Sequence, residues 1–200
     1  MTMRAAKTSR GVRTAALAAL AAVGCAPVVQ NIAVATPGAI TPSSDAVTIV
    51  VIQPATHLRS VSLLDGQGQL VGQLDDRSHT AVRVPEGPTI LYAVIENESA
   101  TADRIEGTLV PGRIYYATIE ARSGGVALTT LTPRSPDGRW RHKDEWLGAT
   151  PRVQMDSQKM GRAINEVGDP APILRAGDAH VAGLDAAHRA EHEIQESDGL

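Results

Sequence analysis

Two histidines stand four positions apart near the end of the chain, in His188-Arg189-Ala190-Glu191-His192. On a helix that spacing puts both imidazoles on one face, where they can hold Zn²⁺ while the glutamate between them acts as general base. A catalytic zinc also needs a third protein ligand and a walled cavity, and only eight residues follow His192, in a polar stretch. The first reading of His188, Glu191 and His192 is therefore a solvated helix face, with a zinc-dependent hydrolase behind it. No cofactor is expected, and His188 and His192 are the only metal-ligand candidates.

A second constellation is Arg139-Trp140-Arg141-His142-Lys143 with Trp146, a basic and aromatic cluster in an acidic chain. Charge and an interfacial indole suit anionic head groups or an acidic partner, so Arg139, Trp140, Arg141, Lys143 and Trp146 are candidate contact residues. The favoured alternative is that the indoles cover an open end of a β body while the charges stay in water. Gly66-x-Gly68-x-x-x-Gly72 has one residue too many for a dinucleotide fingerprint and reads as a turn. The chain contains no Gly-x-Ser-x-Gly.

The single cysteine, Cys25, excludes an internal disulfide. Ahead of it, Arg4, Lys7, Arg10 and Arg13 precede an uncharged run at residues 14–24, the layout of an export signal. Eleven residues of helix rise only about 16 Å, roughly half of a ~30 Å hydrocarbon core, so this is an h-region and not a span. The run closes Leu20-Ala21-Ala22-Val23-Gly24-Cys25, which resembles the lipobox of bacterial lipoproteins. That resemblance implies cleavage before Cys25, diacylglyceryl attachment to its sulfur and further acylation. It also implies an outer-membrane, periplasm-facing address, because Ala26 is not aspartate. Ala33-Val34-Ala35 offers an ordinary signal-peptidase site that would discard Cys25, but it lies far beyond the apolar run. Several acyl chains hold a membrane firmly at about 0.8 kcal/mol per buried methylene.

Without residues 1–24 the chain carries fifteen basic against twenty-two acidic residues, a net charge of about −7, which argues against a nucleic-acid partner. With no phenylalanine, two tryptophans and three tyrosines, the core has to be built from Val, Ile, Leu and Ala. Residues 25–45, rich in Ala, Val, Pro, Ser and Thr, read as a flexible tether with a root-mean-square reach of about 25 Å.

Between residues 46 and 133 the period becomes two, with apolar runs separated by turn clusters. Expected strands lie at 47–53, 60–64, 69–74, 80–84, 89–96, 104–110, 113–121 and 126–132. The unbroken Val and Ile run at 47–53 marks a strand covered on both faces. The run at 89–96, with Ile90, Tyr92 and Val94 opposite Leu91, Ala93 and Ile95, marks a central one. About eight strands with no helical period between them predict an all-β antiparallel sandwich.

The succession Val61-Ser62-Leu63-Leu64-Asp65-Gly66, Leu70-Val71-Gly72-Gln73-Leu74, Val84-Pro85-Glu86-Gly87 and Leu109-Val110-Pro111-Gly112 with Ile114-Tyr115-Tyr116 resembles the DUF2846 family, small β-sandwich domains that are often lipoproteins. The Pro85-Glu86-Gly87 turn is also similar to PEGA domains, envelope β-modules. Neither resemblance implies a catalytic residue.

Residues 134–200 read as a loop and helical extension. A short helix or cap carries Trp140 and Trp146. Asp156 caps a helix to Val167 whose Met160, Ala163, Ile164 and Val167 face the body, and a turn of helix covers 172–176. Asp185 caps a polar helix that frays into a disordered tail. The expected role is a lipid-anchored, non-enzymatic structural or interaction module of the cell envelope, held to the membrane through Cys25 and meeting an envelope protein. A concave apolar pocket would instead make it a periplasmic small-ligand-binding module.

Overall fold

In the computed structural model, residues 32–35, 38–55, 60–95, 98, 101–135, 137–156, 164 and 167–200 are described. The eight expected strands are all present, each within two residues of its expected bounds: β2 Val47–Gln53, β3 Val61–Asp65, β4 Leu70–Leu74, β5 Ser78–Val84, β6 Gly87–Ile95, β7 Asp103–Leu109, β8 Ile114–Arg122 and β9 Gly125–Thr130. Three short strands join them: β1 Ile32–Val34, β10 Val153–Met155 and β11 Glu193–Ile194.

A five-stranded sheet runs β11-β7-β6-β3-β4, a four-stranded sheet runs β5-β2-β8-β9, and β1 pairs with β10 in a small antiparallel ribbon. The inner faces of the two larger sheets share one core. Val47, Ile49 and Val51 of β2, Tyr115, Ala117 and Ile119 of β8, Leu91, Ala93 and Ile95 of β6, and Ile105 and Leu109 of β7 all belong to it. The sheets are mixed and not wholly antiparallel as expected. β2 pairs with β8 in parallel, and β11 pairs with β7 in parallel. The first arises because the Pro111-Gly112 turn carries the chain from one sheet to the other, so β8 adds beside β2 instead of folding back on β7.

All seven residues of β2 are buried, as the unbroken apolar run predicts. Its outer face, Val50 and Ile52 with Ile114 and Leu131, lies under Trp140, Trp146 and Leu147. These belong to a 3-10 turn at Arg139–His142 and to helix α1, Lys143–Ala149. On the far side Tyr92 and Val94 of β6, with Leu64 and Ala102, pack against Ile173 and Leu174 of α2, Ala171–Ala182. Both outer faces are thus covered by helices from the C-terminal extension.

Three expectations about the chain ends need correction. The segment expected as a free tether, 25–45, contains β1. Beyond it, Ala35 N–H donates to Arg152 O at 2.9 Å and Gly112 N–H to Ser43 O at 2.7 Å. The helix expected at 172–176 spans Ala171–Ala182. The tail expected to be disordered is docked: Asp185 caps α3, Ala186–Ala190, β11 pairs with β7, and Leu200 exchanges both backbone hydrogen bonds with Ile114 at 3.0 and 3.1 Å. Ile194 is buried in the main core, which contributes about 1.5–3 kcal/mol. Of the helix expected after Asp156, Ile164 is exposed and Val167 packs beside α2, while Met160 and Ala163 lie outside the described residues. Residues 1–24 and Cys25 also lie outside them. Among the described residues no helix is long and apolar enough to cross a membrane.

Candidate functional site

The extension and the sheets meet at Asp103, the first residue of β7. Period two puts Asp103 in phase with Ile105 and Leu109, so the strand that buries those two side chains buries a carboxylate as well, with no exposed surface. A charge so placed must be compensated. Arg104 N–H donates to Oδ1 at 2.8 Å and Leu128 N–H, on β9, donates to Oδ2 at 2.9 Å.

His192 supplies the opposite charge. The residue lies just before β11, in phase with buried Ile194, and its Nε2 is 3.1 Å from Asp103 Oδ2. Its Nδ1–H donates to His188 O at 2.9 Å. With a carbonyl on one nitrogen and a carboxylate on the other, the ring is best satisfied as the cation. Burial alone would lower the His192 pKa, but the hydrogen bond and charge of Asp103 outweigh it and hold the pKa above the usual range. Burial likewise opposes ionisation of Asp103, yet His192 and the Leu128 and Arg104 amides prevail and hold its pKa down.

Two further groups face the same carboxylate. His180, in the last turn of α2, has Nε2 3.8 Å from Oδ1, and Arg122, the last residue of β8, has Nη1 3.6 Å from Oδ2. Arg122 also donates to His180 Nε2. Burial, with the Arg122 and His192 charges, lowers the His180 pKa against the pull of Asp103, so His180 is a neutral acceptor. Asp103, His180 and His192 each offer one ligand atom within 4.8 Å of the other two.

The local signal for this cluster is slight: Asp103 lies one residue ahead of the strand expected at 104–110, in phase with Ile105 and Leu109, and a charge in that phase demands a partner once the strand begins at Asp103. The partners themselves, 77 and 89 positions later, carry no local mark.

The two histidines singled out by spacing do not converge. Helix α3 ends at Ala190, so Glu191 and His192 lie beyond it. His188 stays at the surface with Nδ1 2.8 Å from Asp185 Oδ2. Glu191 takes Arg139 Nη2 at 3.0 Å. His192 alone turns inward.

The basic and aromatic cluster is largely spent within the fold. Trp140 packs edge-on to Tyr116 with centroids 5.9 Å apart, and the Lys143 ammonium sits 4.7 Å from the Tyr116 ring and 5.2 Å from Trp140. Arg139 pairs with Glu191, Glu120 and Asp137. Trp146 stacks on His142. The indoles cover a sheet face and not an open end as expected, because the outer row of β2 is itself apolar. Arg141 remains exposed.

A cleft of about 470 Å³ lies beside this face, lined by Ile40, His79, Tyr116, Leu147, Thr150 and Arg152, among others. His79 Nδ1 is 2.9 Å from Thr150 Oγ1, whose own hydroxyl donates to Trp146 O.

Comparison of the chain with protein-family models, with curated proteins and with solved structures finds no match in any of the three.

Proposed function

We propose that the protein is a lipid-anchored β-sandwich of the bacterial cell envelope, a non-enzymatic interaction module held on the periplasmic side of the outer membrane. The observation that carries this reading is the run of Arg4, Lys7, Arg10 and Arg13 followed by uncharged residues 14–24 that close on Gly24-Cys25, and the spacing between Cys25 and β1 sets what such an anchor would do. Only residues 26–31 intervene. Six residues extend at most about 20 Å, so a diacylglyceryl Cys25 would keep the β1–β10 ribbon close to the head groups instead of releasing the body on a long tether. Support for a role other than catalysis comes from His188, Glu191 and His192, each committed to a different structural partner.

The test is fractionation with crosslinking in intact cells. Wild type is expected in the outer-membrane fraction, crosslinked to an envelope protein, and Cys25→Ser in the soluble fraction. A wild-type protein that stays soluble contradicts the reading.

The cleft at His79 favours a second reading, a small-ligand-binding module. Its volume lies within the range of known ligand sites, roughly 300–1,000 Å³, and its walls are mostly apolar. A thermal shift with an apolar envelope metabolite that is lost in Leu147→Trp would support it.

A further inference from the structure

We propose that Asp103, His180 and His192 form a binding site for one divalent cation of the zinc class, in which Arg122 is the resident cation that the metal displaces.

The donor set is two imidazoles and one carboxylate, which suits zinc and its transition-metal neighbours and not the all-oxygen preference of calcium or magnesium. Ligand atoms on a tetrahedral zinc lie roughly 3.3–3.5 Å from one another. His192 Nε2 lies 3.1 Å from Asp103 Oδ2 and His180 Nε2 lies 3.8 Å from Asp103 Oδ1, and one ligand atom from each of the three residues falls within 4.8 Å of the others. Side-chain rotations that draw the three atoms in from this wider spacing would close the set around a metal, leaving the fourth position for water.

The surroundings have the character of an outer ligand shell. His192 is oriented by Nδ1–H donating to the His188 carbonyl, and both Asp103 oxygens are held by backbone amides. Such bonds fix the tautomer and aim of metal ligands. Arg122 stands at the end of β8 with about a quarter of its side chain exposed, so it can withdraw to solvent. The three ligands come from β7, α2 and the segment after α3, so a bound cation would pin both parts of the extension to the five-stranded sheet.

The experiment uses the full chain, dialysed against chelator and titrated with ZnCl₂ by calorimetry, with thermal melting alongside. One equivalent is expected to bind with a rise in melting temperature. His180→Ala, whose side chain is partly exposed and which leaves the Asp103–His192 pair intact, should weaken binding by at least about tenfold. Arg122→Ala removes a competing positive charge a few ångströms away and should tighten it by about tenfold. His188→Ala should change nothing. No binding below about 100 μM in wild type, or one-to-one binding that survives His180→Ala and is lost in His188→Ala, overturns the site. Binding unaltered in Arg122→Ala overturns the displacement.

Discussion

Asp103 Oδ2 and His192 Nε2 meet at 3.1 Å across 89 positions of sequence, joining the first residue of β7 to the segment that enters β11. This contact ties the C-terminal tail to the seam between the two sheets. Around it Glu106 N–H donates to His192 O at 2.8 Å and Thr130 N–H to Glu191 O at 2.7 Å, so two consecutive tail residues reach β7 of one sheet and β9 of the other. The β1–β10 ribbon does the corresponding work at the opposite seam, where Thr80 Oγ1 donates to Val153 O at 2.9 Å.

Removing His192 leaves the buried Asp103 carboxylate without its principal partner. His192→Ala is expected to cost about 2–4 kcal/mol in urea denaturation, whereas His188→Ala, at an exposed cap, should cost less than about 0.5 kcal/mol. Equal effects of the two would contradict the inward placement of His192.

Asp198 anchors the last turn through Arg134, with bonds of 3.0 and 2.6 Å, and accepts Gln195 N–H at 2.8 Å. The carboxylate is buried while Arg134 is half exposed, so the charge-assisted bonds are only partly screened. Asp198→Asn should destabilise by about 1–2 kcal/mol. Amide exchange should quicken at Ile114 and Leu200 before it does at β6.

Gly177 on α2 faces the Tyr92 ring, where an added Cβ would come within 2.7 Å of the ring edge. Alanine improves helix propensity by about 1 kcal/mol, but overpacking costs about 1–3 kcal/mol. Tyr92 cannot easily yield, because its hydroxyl donates to Asp178 at 2.9 Å; burial and that bond push its pKa up to about 12. Gly177→Ala is therefore expected to lower the melting temperature, and a stabilised variant would contradict the packing of α2.

His79 gives a pH dependence of definite sign. Burial first, then the Arg152 charge, hold its folded pKa below the ordinary value of 6.5, against the Thr150 bond. Between the folded value and 6.5 the unfolded chain binds more protons, so stability rises with pH in that window and levels off above it. His79→Asn, which keeps a donor toward Thr150, should reduce that slope in denaturation midpoints measured from pH 5 to 7. An unchanged slope would contradict a buried neutral His79.

What the sequence made legible follows from range. The strands from β2 to β9 are written in alternation and turn residues, which are local, and the double burial of β2 could be read from seven consecutive apolar or β-branched positions. Helix α2 could not, because its buried stripe is Ile173, Gly177 and Val181, and a glycine there reads as a break when it is in fact space for Tyr92. Strands β1, β10 and β11 are too short to show a period and exist only through their partners. The H-x-x-E-H spacing misled for the same reason: helical phase was assumed across a helix that ends at Ala190, whereas His192 follows the strand phase of Ile194.

The central claim is attachment through Cys25, and the intact mass of the N-terminal peptide from native membranes, beside Cys25→Ser, tests it most directly. The expected result is a first residue Cys25 carrying a diacylglyceryl group, absent from the serine variant. An unmodified N-terminus near Thr36 would mean that Cys25 is discarded with the leader, and the lipid-anchored reading would fail.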